Sequence, residues 1–250
     1  MQSILYHELV AWYHLLDARD NHADEVPIYD SLLAAAVEGP FVTLLELGAG
    51  AGNNGYYFRQ QRTCTLTDLS APMLELSRAQ NPDCEHIVGD MRSMRLDRQF
   101  DAVFVHDAIS YMCTEADLRQ AADTAFLHTR PGGAAVFAPD IVRETFCEFH
   151  EDDAADDADG RGMRYIAWVT DPDPSDSTYR VDYAFLLRDH QGIQAVHESH
   201  VEGLFAQATW IRILSEAGFQ VSLGKRPLDD VEGVHAYTSE VFVCRRPRAE

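Results

Sequence analysis

Lysine is almost absent from this chain. Lys225 stands alone, and all bases together number 20 against 41 acids, a formal net charge of −21. A chain so charged has no broad cationic surface with which to neutralise phosphates, which argues against nucleic acid as a partner. The run Arg245-Arg246-Pro247-Arg248 is too short to change this and reads as a solvated tail. Long apolar runs are missing too. No stretch reaches the roughly 18 residues that a membrane-crossing helix needs, so no membrane association is expected. The opening residues Met1 to Glu8 lack the charged and then apolar regions of a signal peptide. Cysteine is sparse: Cys64, Cys84, Cys113, Cys147 and Cys244 are scattered without a C-x-x-C pair. That spacing makes neither a disulfide framework nor a zinc site, and a reducing cytoplasm is the expected setting. Metal spacing is absent from the histidines as well, since no H-E-x-x-H occurs and His197 and His200 fall on opposite faces of a strand.

What is present is one sizeable core's worth of chain, 250 residues, with its chemistry concentrated early. Thr43 to Leu47 reads as a buried strand carrying Glu46, followed by a turn with Gly48, Gly50 and Gly52. Glycine lets bare backbone approach a ligand and tolerates positive φ. A turn of that kind between a strand and a helix lies where open α/β sheets bind cofactors. Two cofactors compete for it. Gly50-Ala51-Gly52-Asn53-Asn54-Gly55 spells the dinucleotide fingerprint, with Asp68 near the distance of a ribose-binding acid. Glu46 opposes that reading, because a carboxylate at the strand tip repels a pyrophosphate and welcomes a cation. S-adenosylmethionine is such a cation.

The pattern then repeats. Thr63 to Asp68 is a β-prone run ending in an acid, and Ser70 and Pro72 open a helix through Met73, Leu74 and Leu76. Cys84 to Met91 is a third strand with Asp90 at its tip, and Phe100 to Asp107 a fourth, ending in His106-Asp107. Four strand ends in sequence thus carry Glu46, Asp68, Asp90 and His106-Asp107.

On these motifs the chain resembles the class I S-adenosylmethionine-dependent methyltransferases. Glu46 to Gly52 is similar to the family's first motif, Asp68-Leu69 to its second, Gly89-Asp90-Met91 to its adenine-binding turn, and Phe100 to Val103 to its fourth strand. The resemblance implies an α/β fold, a Rossmann-like seven-stranded and mostly parallel sheet. It also implies roles: Asp68 on the ribose hydroxyls, Asp90 and the Met91 amide on the adenine edge, the glycine turn around the methionine moiety, and Leu69 and Met73 beside ribose and adenine.

The rest divides by period. Residues 1–38 read as two helices around a charged loop, Asp17 to Glu25, with the second helix starting at Asp30-Ser31. Residues 39–147 and 205–250 form the cofactor-binding core, with a strand at Ala134 to Ala138, a helix at Gln207 to Ala217 and a closing hairpin from Phe219 to Leu223 and Ser239 to Cys244. Residues 148–204 are read as an acidic mobile loop over 148–162 followed by an antiparallel β lid. A calcium loop fails there, because its first and twelfth positions fall on Ala155 and Ile166. In the lid, Tyr179, Val181, Tyr183, Phe185 and Leu187 share one strand face. That face must pack on the domain or on a second copy, so a homodimer is one expectation.

The lid sharpens the resemblance. His200 to Phe205, Ala217-Gly218-Phe219, Tyr13 to Leu16, Ala23 to Glu25 and Pro139 to Phe146 are similar to small-molecule methyltransferases of the sugar N-methyltransferase and glycine N-methyltransferase type. The acidic stretch Leu228 to Gly233 replaces the bases that a nucleotide-linked sugar requires there. The expected activity is therefore methyl transfer to a small molecule, with nitrogen favoured over oxygen. The alternatives are an NAD-dependent oxidoreductase and a binding protein without transfer. His106 either acts as general base or lines the cofactor pocket; Asp107 orients it or binds an ammonium, and Tyr111 donates near the nucleophile. Tyr13, Tyr183 and His200 are the candidate acceptor contacts, with His200 and Glu202 exposed to it on the lid.

Overall fold

The computed structural model describes residues 3–226 and 237–248. The chain opens with turns and a 3-10 helix, Val10–Trp12, leading into the short α1, Tyr13–Leu16. Leu5, Leu9, Trp12 and Leu15 are buried at helical spacing. A continuous first helix does not form. The Glu198 carboxylate takes the Ile4 and Leu5 amides at 2.6 and 2.8 Å, tying this segment to the lid instead. The charged segment contains a second 3-10 helix, Arg19–His22, and α2 runs over Val26–Ala36, starting ahead of the expected Asp30-Ser31. Pro27 fits its first turn, and Val26, Tyr29, Leu33 and Ala36 line its buried face.

Strand–helix alternation follows: β1 Thr43–Leu47, α3 Asn53–Phe58, β2 Thr63–Asp68, α4 Ala71–Gln80, β3 Glu85–Val88, β4 Phe100–Val105, α5 Glu115–His128 and β5 Thr129–Phe137. The helix starts obey local chemistry. Ser70 caps α4 through the Met73 amide, and Thr114 caps α5 through the Asp117 amide. Four lid strands come next, β6 Phe149–Asp156, β7 Gly162–Thr170, β8 Thr178–Asp189 and β9 Gly192–Gly203. The chain then returns to the core with α6 Gln207–Glu216, β10 Gln220–Lys225 and β11 Glu240–Arg245.

The main sheet has seven strands in the order β10-β11-β5-β4-β1-β2-β3, parallel except for β11, which pairs antiparallel with both β10 and β5. Helices α5 and α6 cover one face through Leu118, Ala121, Trp210 and Ile213. Helices α2 and α3 cover the other through Tyr29, Leu33 and Phe58. With β1, β2, β3, β4 and β5 all pointing one way, their carboxyl ends open on a single rim.

Two lid expectations need correction. The acidic stretch is not a loop over its length, because β6 is the edge strand of the four-stranded antiparallel sheet β6-β7-β8-β9. Its inward side places Phe149 against Tyr237, while Asp152 and Asp156 face water and shield the edge. The apolar face of β8 is not free for a second copy. Phe185 and Leu187 pack on Leu5, Leu9, Trp12 and Leu15, and Tyr179 and Val181 on Ile141 and Leu204. The same chain covers that face. The acidic stretch Leu228 to Gly233 lies outside the described residues.

Candidate active site

The glycine turn after β1 is held from below. The Gly48 and Ala49 amides donate to the Thr67 carbonyl at 2.8 Å, and the Gly50 amide donates to Asp68 Oδ2 at 2.8 Å. Gly48, Gly50 and Gly52 all have positive φ, and a Cβ on Gly52 would collide with Ser77 and Asn81. The glycines are thus required by both conformation and space. Asp68 spends its second oxygen on the Ser70 amide at 2.7 Å. One lone pair remains on each oxygen for a ligand hydroxyl. Burial pushes its pKa up, and the Ser70 and Gly50 amides resist.

Glu46 is 1% exposed. Its Oε1 accepts from Asn54, whereas Oε2 is buried with no partner. Burial pushes this carboxyl up to about 7. A buried acid with one orphaned oxygen suits a cationic ligand group. On the same rim Met73 is fully buried beneath Gly50, Met91 is buried, and Leu69 stands 66% exposed. Asp90 is folded onto Arg92, whose guanidinium also reaches Asp117 at 3.0 Å. Arg92 lowers the Asp90 pKa, leaving an ionised acceptor at the turn. The bare turn, the orphaned Glu46 oxygen and the two strand-tip carboxylates together fit S-adenosylmethionine.

Beside this rim lies a cavity of about 300 Å³, lined by Asp17, His22, Glu25, His106, Asp107 and Asp140, with Arg226 and Tyr237 at its wall. His106 stacks on Phe104 and is 6% exposed. Its Nδ1 is 2.9 Å from Asp107, and its Nε2 is 3.0 Å from the Tyr29 hydroxyl and 3.2 Å from Arg226 Nη1. Burial acts to lower its pKa, but Asp107 and Glu25 outweigh that and the net direction is upward. Arg226 is 5% exposed and also donates to the Thr238 and Pro139 carbonyls, to Tyr29 and to Asp140. Asp107 and Asp140 both face the cavity and are joined through His106 and Arg226. The protein packed around Asp107 opposes its ionisation although the side chain opens on the cavity, yet His106 and Arg226 hold it well below the usual range. Burial and the Asp107 charge push Asp140 up to about 8.

Sequence reasoning missed most of this wall. Asp17, His22 and Glu25 were assigned to a charged loop. Instead His22 is buried, 2.8 Å from Asp17 and 3.1 Å from Glu25. Burial works against its charge, and those two carboxylates still raise it to about 11. Arg226 carried no motif at all.

The other expected contacts lie elsewhere. Tyr13, Tyr111, Tyr183 and His200 do not line the cavity. Tyr111 shares hydrogen bonds of 2.7 Å with the Tyr6 hydroxyl and with His200 Nδ1. Tyr183 sits edge-on to His200, and the Tyr13 hydroxyl donates to Asp17. His200 is not exposed on the lid. It is 5% exposed, and burial lowers its pKa even beside Glu198. Glu202 is partly buried and bonded to the Tyr179 hydroxyl. Burial raises the Tyr111 pKa well above the ordinary phenol value, so this hydroxyl stays protonated.

Among the described residues no helix is long and apolar enough to cross a membrane, and no cluster of three or more His, Cys, Asp or Glu is arranged to hold a metal ion. All five cysteines are free thiols.

Residues 44–133 match the family model of a methyltransferase domain. A dTDP-3-amino-3,4,6-trideoxy-alpha-D-glucopyranose N,N-dimethyltransferase from Streptomyces venezuelae is 28% identical over 212 residues, covering 84% of this chain and 87% of that one. Among solved structures, DesVI of Streptomyces venezuelae superposes with a TM-score of 0.80 at 23% identity, over 96% of this chain and 97% of its own. CalS10, an amino pentose methyltransferase from Micromonospora echinaspora solved with S-adenosylmethionine bound, gives 0.76 at 22% identity over 96% of both chains. Motif order, sheet topology and these matches set aside the NAD-dependent oxidoreductase alternative. The chain carries a methyltransferase domain and is an S-adenosylmethionine-dependent methyltransferase of the class I fold.

Proposed function

We propose that this enzyme methylates the nitrogen of a small amine, an amino sugar in the first instance. The observation that carries this reading is the cavity wall, where among the described residues five carboxylates, Asp17, Asp24, Glu25, Asp107 and Asp140, surround a space whose one arginine is already saturated by protein partners. An ammonium gains from such a wall and a phosphate does not. Two relatives, from Streptomyces venezuelae and Streptomyces fradiae, are named for N,N-dimethylation of dTDP-linked 3-amino sugars, and the amino group of those substrates supports it.

Bound S-adenosylmethionine supplies a methyl carbon already activated by its sulfonium. The chain's own residues have to hold, orient and dry the reactants. Glu46 and the turn from Gly48 to Gly52 take the methionine end, Asp68 the ribose hydroxyls, and Asp90, Met91, Leu69 and Met73 the adenine side. Alignment of this kind is worth up to about 7–11 kcal/mol. Asp107 holds the acceptor's ammonium, and His106 fixes the Asp107 carboxylate through Nδ1–H. Tyr111, Tyr183 and His200 fasten the lid and the N-terminal segment to the core, and Tyr13 steadies Asp17.

Incubation with S-adenosylmethionine and matched sugars that differ only by an amino or a hydroxyl group, read by mass spectrometry, tests this. Methylation of the amine is expected; methylation confined to the hydroxyl compound would overturn it. A homodimer has to use a face other than the apolar side of β8. The outer side of the lid, where Ile166, Trp168 and Leu186 are exposed, is our proposal, checked by light scattering. The charge of −21 and the free thiols support a cytoplasmic enzyme without a nucleic-acid partner.

A further inference from the structure

An amine that enters as an ammonium must lose a proton before its nitrogen carries a lone pair. His106 is the residue to which the sequence points for that task, and its surroundings leave it no free nitrogen. Nδ1 faces Asp107 at 2.9 Å, while Nε2 faces the Tyr29 hydroxyl at 3.0 Å and Arg226 Nη1 at 3.2 Å. Arginine does not give up its proton, so a ring nitrogen beside it serves as an acceptor. Both polar edges of the ring are occupied by protein.

The two carboxyls next to it are placed differently. Asp107 has about half of its side chain accessible, at 52%, and Asp140 about a third, at 31%. Both line the cavity. Each has a protein partner on one oxygen, Asp107 on His106 and Asp140 on Arg226 at 3.3 Å. They are joined through His106 and Arg226 on one cavity wall, and two neighbouring carboxyls do not readily both ionise. The Asp107 side of the pair is held ionised by His106 and Arg226, which leaves Asp140 as the side that takes a proton. Among the described residues the other charged and titratable groups around the pair are Tyr6, Tyr13, Asp17, His22 and Asp24 from the N-terminal segment, Glu25 at the start of α2 and Tyr29 within it, Tyr179 from β8, Glu202 from β9 and Tyr237 ahead of β11.

We propose that Asp107 and Asp140 form a proton-sharing carboxyl pair, and that Asp140, rather than His106, removes the proton from the acceptor's ammonium. This rests on the N-methylation reading above. In the step, one N–H bond of the ammonium breaks, its electron pair stays on nitrogen, and the proton passes to a carboxylate oxygen of Asp140. The products are a neutral amine with a free lone pair and a carboxylic acid. Asp107 stays ionised and accepts a hydrogen bond from a remaining N–H. His106 and Arg226 are positioning residues that hold the two carboxyls in place.

Infrared spectra of the ligand-free protein test the pair without any acceptor. A carboxylic-acid carbonyl band is expected at neutral pH that disappears as the pH rises past about 8 and is missing from Asp140→Asn. Glu46 and Glu202 also titrate high, near 7, and cancel in the difference between the parent and Asp140→Asn; Asp107 acts on Glu202, so in Asp107→Asn only the band that Asp140→Asn lacks is followed. In Asp107→Asn the like charge is gone, and the Asp140 band should vanish at lower pH than in the parent. S-adenosylhomocysteine affinity within about twofold of the parent certifies that each variant is folded. A band unaltered by both substitutions would overturn the pair.

The proton-transfer role is read from kcat/KM against pH with a 3-amino sugar that carries no phosphate as probe. Asp140→Asn should lose the rising limb near pH 8 and about 10²-fold or more in kcat, whereas His106→Asn should keep the limb. A limb that survives in Asp140→Asn and disappears in His106→Asn would return the role to the imidazole. Failure to methylate any amine sinks the reading of the acceptor, and the infrared result still stands or falls by itself.

Discussion

The two halves of the active site are built by different means. The cofactor half is made mostly of backbone and strand tips drawn from residues 46–91, whose order along the chain is also their order in space. The acceptor half is a wall of side chains from five distant places: the segment around His22 and Glu25, the end of β4 at His106-Asp107, the residue Asp140 beyond β5, Arg226 at the end of β10 and Tyr237 ahead of β11. Arg226 meets Tyr29 across 197 positions and His106 across 120. One half depends on conformations that only glycine adopts easily. The other depends on charges that balance only once the chain is folded. That contrast predicts that damage to the acceptor wall is felt first as lost stability, and damage to the turn first as lost cofactor.

Arg226→Met should give the largest effect on stability. It leaves His106, Tyr29 and Asp140 without a buried donor, and a loss of about 3–5 kcal/mol is expected in denaturant titration. S-adenosylhomocysteine affinity should stay within about twofold. A variant as stable as the parent would mean that the arginine is not integral to the wall.

His22→Gln comes next, at about 1–3 kcal/mol. Its pH dependence has a definite sign. The folded-state pKa is raised, so the stabilisation is fully present below about 6.5 and is lost as the pH climbs towards about 11. The gap in Tm between parent and variant should therefore be widest at or below about pH 6.5 and shrink as the pH rises towards 11. A gap that widens with pH would contradict the assigned ion pairs.

Gly52→Ala should destabilise by more than about 1 kcal/mol, because a side chain is strained at φ +77° and meets Ser77 and Asn81. Cofactor binding should fall with it. The smallest change is expected for Tyr111→Phe, which removes the hydroxyl shared by Tyr6 and His200 and should cost about 1 kcal/mol in Tm-derived stability. Cofactor affinity should not move.

The same contrast explains what was legible in the sequence. Gly48, Gly50, Gly52 and Asp68 could be read because a local constraint, positive φ followed by a strand and an acid, fixes residue type at fixed spacing. The seven-stranded sheet was legible for the same reason, as four acid-tipped strands with helical patterns between them. His22 was not, since nothing local distinguishes a buried, doubly paired histidine from one in a solvated loop. Arg226, beside the chain's one lysine, looked like any surface base. The strand β6 was hidden by its composition: Glu151, Asp152, Asp153 and Asp156 read as a loop, although Phe149 and Ala155 mark the side that packs inward. His200 failed in the opposite direction. Its alternation on β9 was visible, but whether that face met solvent or the core depended on the segment around Leu5, close to 200 residues away.

The separation of the two halves is tested most directly by calorimetric titration of S-adenosylhomocysteine into three proteins. The parent should bind. Asp68→Ala should bind about 10- to 150-fold more weakly, the equivalent of one charge-assisted hydrogen bond of about 1.5–3 kcal/mol. Asp107→Asn should bind like the parent. Normal binding by Asp68→Ala, or an equal loss in Asp68→Ala and Asp107→Asn, would contradict the account.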